Sequence, residues 1–381
     1  MKVYTQTWYR GNNYGSVLQA YALQKTILSL GYDCSVLNYR PTKADMWKLK
    51  IINHSLKATI DYKINEFLMK KNGMNQKQAV DNLTLFDAFR REYMRISEPC
   101  STAEEINELC GHDAVFVCGS DQIWNPYFYD PFYFLEFIQD SSRKIAYAPS
   151  FGVENLPNNN KKRIQKAVTS FTHISVREKR GAEIIRDLTG TGVDVTVDPT
   201  MLLSLEQWSD IAAPINEKKD YLFCYFLSEE PLYMNAAREI AKEKGLVIRM
   251  LPMVAADFRR DDTISCPVGP CEWISWVKNA GYVLTDSFHC TLFAIRFHRQ
   301  FNVLQRFSDG DKHGQNSRIH SLLRLASMED RLVVPGKKGD YSPISESQFE
   351  VADSYMEKEI SSSKSWLEDA LNDAKSSENK K

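Results

Sequence analysis

No stretch of this 381-residue chain approaches the roughly 18 uncharged apolar residues that a membrane-spanning helix needs. The run Met1 to Trp8 passes straight into strand-like residues with neither a basic patch nor an apolar segment after it, so no signal peptide is expected. A cytoplasmic location, at most peripheral to the inner face of a membrane, is the expectation that follows. Eight cysteines are present, but none forms a C-x-x-C pair, and Cys118 and Cys224 sit inside apolar runs. Cys266 and Cys271 have no His or Cys pair nearby to complete a tetrahedral zinc site, so buried reduced thiols and no metal are expected. Net charge is nearly absent: 48 Lys plus Arg against 49 Asp plus Glu leave −1, which offers no global field for nucleic acid. A dinucleotide fingerprint is lacking as well, since the Gly190-Thr191-Gly192 turn precedes a strand rather than joining strand to helix. Repeats and low-complexity segments are missing apart from the tail Lys375 to Lys381, which is expected to fray.

What remains is an ordinary globular composition, 43% hydrophobic and 25% charged, long enough for two domains with a core in each. Strand-like and helix-like pieces alternate from the start: Val3 to Trp8, a helix from about Ser16 to Leu30, then Cys34 to Tyr39. Lys43 to about Leu109 reads as a Lys-rich helical insertion. Strands resume at Ala114 to Cys118, Lys144 to Ala148, Ile174 to Val176 and Val193 to Val197, as a doubly wound parallel sheet requires. The polar, Pro-containing stretch from Leu205 to Lys219 places a boundary near residue 204. A second alternating series fills 205–344, with strands at Tyr221 to Leu227, Leu246 to Leu251, Tyr282 to Thr285 and Phe301 to Leu304. Helices are expected at Pro231 to Lys244, Glu272 to Ala280 and Thr291 to Phe297. Residues 345–381 read as a C-terminal helix, Ser345 to Ala374, packing back, plus the tail.

Polar turns at the carboxyl ends of apolar strands carry the chemistry, because ligands of open α/β sheets bind there. The strand ending in Leu284 runs into Thr285-Asp286-Ser287-Phe288-His289-Cys290, and the helix that follows would aim free N–H groups at an anion. Ala114 to Cys118 breaks at Gly119-Ser120-Asp121-Gln122-Ile123-Trp124-Asn125-Pro126. Between these lie Ser175-Val176-Arg177-Glu178 and Val197-Asp198-Pro199, and near the start stand Asn13, Gly15, Ser16 and Gln19.

This ordered set, over about Val3 to Arg331, closely resembles the polysaccharide pyruvyl transferase family. The resemblance implies two Rossmann-like α/β domains facing a cleft, the glycosyltransferase B type of architecture, and transfer of the enolpyruvyl unit of phosphoenolpyruvate onto two sugar hydroxyls during exopolysaccharide or cell-surface polysaccharide biosynthesis. Phosphoenolpyruvate would then be a substrate, with no cofactor. The partner would be a sugar, oligosaccharide or lipid-linked glycan, reached beside membrane-bound assembly machinery. In that frame Arg177, Ser287, His289 and Arg318 bind the donor, the second domain is the donor side and the first the acceptor side, and Asp121 takes the acceptor's proton. Asn13, Gly15, Ser16, Gln19, Gln122 and Asn125 position the acceptor, Trp124 offers its face to a pyranose, and His289 is a second candidate for catalysis as an acid. The family usually has glycine where Cys290 stands, so a side chain narrows this turn.

Plainer readings stay open on the residues alone. Arg177 could be a buried structural pair with Glu178 or Asp198, Ser287 a simple N-cap, and Asp121 and Asn125 residues that satisfy their own loop. A nucleotide-sugar glycosyltransferase, or a non-catalytic binding protein of the same fold, would share the architecture.

Overall fold

A computed structural model describes residues 1–53, 76–228, 230–253, 257, 260–307, 316–337 and 339–378. Part of the expected insertion, 54–75, lies outside the described residues, as do 379–381 of the tail. The described chain divides into two compact units: unit 1 holds 1–53, 90–203 and 358–378, and unit 2 holds 76–89 and 204–357.

Unit 1 is built on seven parallel strands: β1 (Lys2–Gln6), β2 (Asp33–Tyr39), β3 (Ile96–Cys100), β4 (Val115–Cys118), β5 (Lys144–Ala146), β6 (His173–Val176) and β7 (Asp194–Val195). Their order is β3-β2-β1-β4-β5-β6-β7, all neighbours parallel. The middle strands read as continuous apolar runs because helices cover both faces, and all four residues of β4 are buried. The helix Tyr14–Ser29 is buried at every position from Tyr14 to Gln24, so Gly15, Ser16 and Gln19 start life as packed residues.

The helical reading of Lys43 to Leu109 needs correction. Helices do occupy Lys43–Ile52, Gln76–Tyr93 and Ala103–Cys110, but Ile96-Ser97-Glu98-Pro99-Cys100 is strand β3. Pro99, the exposed Glu98 and the half-buried Ser97 hide it from a pattern search, and they are tolerated because β3 lies at the edge of the sheet.

Unit 2 carries five parallel strands: β8 (Tyr221–Tyr225), β9 (Val247–Leu251), β10 (Tyr282–Thr285), β11 (Gln300–Leu304) and β12 (Leu332–Val333), in the order β12-β11-β10-β8-β9. Helix Pro231–Lys244 shows why its ends were readable: Pro231 opens it, Glu230 caps Leu232 N–H, and Gly245 closes it at φ 69°. The helix after β10 starts at Phe288 rather than Thr291, because Ser287 caps it. The last helix, Glu346–Glu378, extends past Ala374 through residues first expected to fray. Phe349, Ala352 and Met356 are buried in unit 2, while Ile360, Leu367 and Leu371 are buried in unit 1. All eight cysteines are free thiols, and six of them are buried. Among the described residues no helix is long and apolar enough to cross a membrane.

Candidate active site

Each sheet has one place where the order of strands reverses, and both motif turns stand at such a place. In unit 1 the chain leaves β1 for β2 on one side and returns to β4 on the other, so the crevice lies between β1 and β4. Asn13 to Gln19 follow β1, and Gly119 to Asn125 follow β4. In unit 2 the reversal lies between β8 and β10, and Asp286 to His289 follow β10.

At the unit 1 crevice Asp121 is buried, with its backbone in the left-handed region at φ 66°. Asp tolerates that conformation better than most residues, at a cost on the order of 1 kcal/mol. Its Oδ1 accepts the Gln122 N–H at 2.8 Å and its Oδ2 accepts the Ser16 hydroxyl at 2.6 Å. Asn13 caps the first helix by accepting Ser16 N–H at 3.0 Å, which ties that hydroxyl in place. Gln19 is fully buried: its amide donates to Thr7 Oγ1 and the Ser16 carbonyl, and its Oε1 accepts the Ser120 N–H at 2.9 Å. Gln19 therefore clamps one motif loop to the other. Gly15 lies within the first turn and leaves the crevice without a side chain at that point.

Arg177, leaving β6, donates from Nη1 to Asp198 Oδ2 at 2.7 Å, and Glu178 Oε2 stands 3.9 Å from its Nε. Burial works against the guanidinium's charge, yet Asp198, Asp121 and Glu178 more than offset it and raise its pKa further. Glu178 Oε1 accepts from the Ser150 hydroxyl and the Phe151 N–H, and Asp198 Oδ1 accepts from Thr200. One cation thus gathers three carboxylates at the carboxyl edge of the sheet. The 2.7 Å contact with Asp198 is the buried pairing that the sequence left open beside a donor-binding role.

The expectation for Trp124 needs correction. Its ring is 0% exposed, stacked on Phe134 at 5.2 Å and 6°, with its indole N–H donating to the Tyr133 carbonyl. It supports the turn from within the core and presents no face to a sugar. Asn125 caps the short turn at Pro126–Phe128 and donates to Gln122 Oε1 at 3.0 Å, so these two amides brace each other rather than open space.

In unit 2, Ser287 Oγ accepts the Cys290 N–H at 3.4 Å and caps helix Phe288–Arg296; His289 lies in its first turn, 6% exposed. Asp286 Oδ1 accepts the Leu227 N–H at 2.6 Å, and Thr285 Oγ1 donates to the Tyr225 carbonyl, so the turns after β8 and β10 are stitched together. Burial pushes the Asp286 carboxyl above its ordinary pKa, with the Leu227 N–H and the Arg306 charge pulling it down. Cys290 is completely buried, and burial drives its thiol far above the reactive range. Arg318 is half-buried in the first turn of helix Ser317–Leu325, which packs on the helix bearing His289. A helix start disfavours a cation, so Arg318 stands against the local dipole.

Sequence reasoning missed Thr7, Ser150 and Leu227, which hold the motif loops. Each stands one to four residues past the carboxyl end of a strand, and that position was the available signal.

A family model described as polysaccharide pyruvyl transferase matches residues 13–306. No curated protein matches the chain in sequence. Among solved structures, a UDP-GlcNAc 2-epimerase from Neisseria meningitidis is similar at 9% identity and TM-score 0.46, covering 93% of this chain and 94% of that one. A putative UDP-N-acetylglucosamine 2-epimerase from Listeria monocytogenes is similar at 11% identity and TM-score 0.44, covering 87% and 89%. MurG from Acinetobacter baumannii is similar at 8% identity and TM-score 0.40, covering 98% and 93%.

Proposed function

Because the chain belongs to the polysaccharide pyruvyl transferase family, as the match over 13–306 shows, we propose that it moves the enolpyruvyl group of phosphoenolpyruvate onto two hydroxyls of one sugar in a growing cell-surface glycan. The observation that supports this reading is the placement of the two motif turns at the reversal points of the two sheets, one bearing Asp121 and one bearing Ser287 and His289 at a helix start.

The chemistry needs an anion site and a base. Ser287 and His289 at a helix start, with Arg318 on the neighbouring helix, supply hydrogen-bond donors and charge for a phosphate or carboxylate. Asp121 is the acceptor-side base: two hydrogen bonds fix its carboxylate, leaving lone pairs for an incoming hydroxyl. An acid, for which His289 is the candidate, protonates the methylene carbon and makes C2 electrophilic. The first sugar oxygen then bonds to C2 as its proton passes to Asp121, from which it returns to restore the acid; the C2–O bond to phosphate breaks, and the second hydroxyl oxygen bonds to C2 and closes the ketal as its proton leaves with the phosphate. In this scheme Arg177 is a positioning residue, holding Asp121 and Asp198 in one charged web.

The test is phosphate release from phosphoenolpyruvate across a panel of sugar acceptors, together with melting temperature. Phosphoenolpyruvate alone, without metal, is expected to raise the melting temperature by mass action. Stabilisation by a sugar nucleotide, with nucleotide release and no response to phosphoenolpyruvate, would replace this reading with glycosyl transfer.

A further inference from the structure

Unit 1 contains a cavity of about 420 Å³ at the opposite end of its sheet from the motif turns. His173 begins β6 and Asp194 begins β7, and both line it, whereas Arg177 follows the far end of β6. A four-residue strand spans about 13 Å, so the cavity is separate from the crevice described above. Its volume lies within the range of small-ligand sites, roughly 300–1,000 Å³.

The lining is specific in kind. Trp366 and Phe171 supply aromatic surface, and the Trp366 indole is fixed because its N–H donates to Asp194 Oδ2 at 2.9 Å. Thr191 and Gly192 bring a hydroxyl and peptide groups from an exposed turn, and His173 Nε2 faces Asp373 Oδ2 at 3.8 Å. Among the described residues the lining includes neither Lys nor Arg, and Asp194 would repel phosphate or carboxylate. A ligand with apolar C–H faces and many neutral hydroxyls fits aromatic walls edged by hydrogen-bonding groups.

We propose that this cavity binds a neutral saccharide unit, holding a segment of glycan distant from the reacting hydroxyls. That the bound glycan is also the acceptor rests on the pyruvyl transfer reading; binding itself does not. With the full chain, saturation-transfer NMR against maltotriose, cellotriose and triacetylchitotriose is expected to show millimolar binding of at least one. Trp366→Ala should weaken it roughly tenfold, the scale of one lost aromatic contact. Because Trp366 also packs on Tyr147 at 6.1 Å, a second variant guards against misfolding. Gly192→Phe keeps Trp366, starts from a position whose Cβ would meet nothing within 4 Å, and should fill the cavity and abolish binding while the circular dichroism spectrum and melting temperature stay unchanged. Silence from all three sugars, or undiminished sugar binding by a folded Gly192→Phe chain, overturns the proposal. If the sugars bind there while phosphoenolpyruvate neither binds nor reacts, the functional reading falls and the cavity's role stands.

Discussion

At the scale of single residues, Asp121 and His289 lie in different units and are given different tasks, so their substitutions should separate. Asp121→Asn is expected to bind phosphoenolpyruvate normally and fail in single-turnover transfer, because a base acts only when the acceptor proton leaves. His289→Ala should instead weaken donor affinity, since an anion-binding group already touches the ground state. Lost donor affinity in Asp121→Asn with none in His289→Ala would reverse the two roles. Arg177 makes a stability prediction. Removing it leaves the fully buried Asp198 carboxylate facing no guanidinium, and Arg177→Ala should cost about 3–5 kcal/mol in denaturant unfolding. Arg177→Lys should recover part of that loss but not the geometry of the fork. Wild-type unfolding of Arg177→Ala would show that the ion pair contributes nothing net.

Among elements, the turn after β4 is the most constrained. Gly119 adopts φ 130°, and a Cβ there would run into the Tyr147 carbonyl, so Gly119→Ala should cost about 3 kcal/mol or more in a urea titration. Gly111→Ala is the control: its φ is 79° but a Cβ would meet nothing within 4 Å, and about 1 kcal/mol is expected. The short turn capped by Asp130 carries a pH dependence. Burial pushes this carboxyl to about 6 while its Oδ1 accepts the Phe132 N–H. A raised carboxyl favours folding below its unfolded value of 3.8 and loses that contribution as pH rises through about 6. Asp130→Asn keeps the cap without the charge, so it should be more stable than the wild type at about pH 8 by on the order of 2 kcal/mol, the gain vanishing near pH 4. An equal gain at both pH values would remove burial as the cause. These elements also show what the sequence made legible. The helix Pro231–Lys244 carried its own start and stop residues, and β4 was a bare apolar run. β3 was concealed by Pro99, and Trp124 was misjudged because chain position alone does not say which side of a turn a ring occupies.

Across the whole molecule, neither unit is a continuous stretch of chain. Residues 76–89 belong with unit 2, where Asn82 Oδ1 accepts the Val268 N–H at 2.8 Å and the Gly269 position leaves only 2.6 Å between a built Cβ and Leu85 Cβ. Sequence patterns cannot reveal such pairings, because the contacting residues are nearly two hundred positions apart. The final helix is shared likewise. Ser363 Oγ accepts the Val197 N–H at 3.0 Å, and the Tyr32 hydroxyl donates to Asn372 Oδ1 at 2.7 Å, both within unit 1. Leu367→Ala, at a fully buried position, should cost about 2–5 kcal/mol, read as a lower unfolding midpoint of unit 1, and Phe349→Ala should act on unit 2 instead. Identical shifts reported by probes in both units for either variant would show that they unfold as one.

The shared helix also imposes an order on synthesis. Strands β1 to β7 emerge from the ribosome first, yet the segment that covers Val197 and Tyr32 is translated only after all of residues 204–357. At ordinary elongation rates that interval lasts roughly 8–30 s. During it unit 2 gains its own strands and helices, while unit 1 waits with an uncovered apolar strip where Ile360, Leu367 and Leu371 will lie. The nascent unit made first is therefore finished last, and its exposure to proteases and chaperones is set by the length of its neighbour.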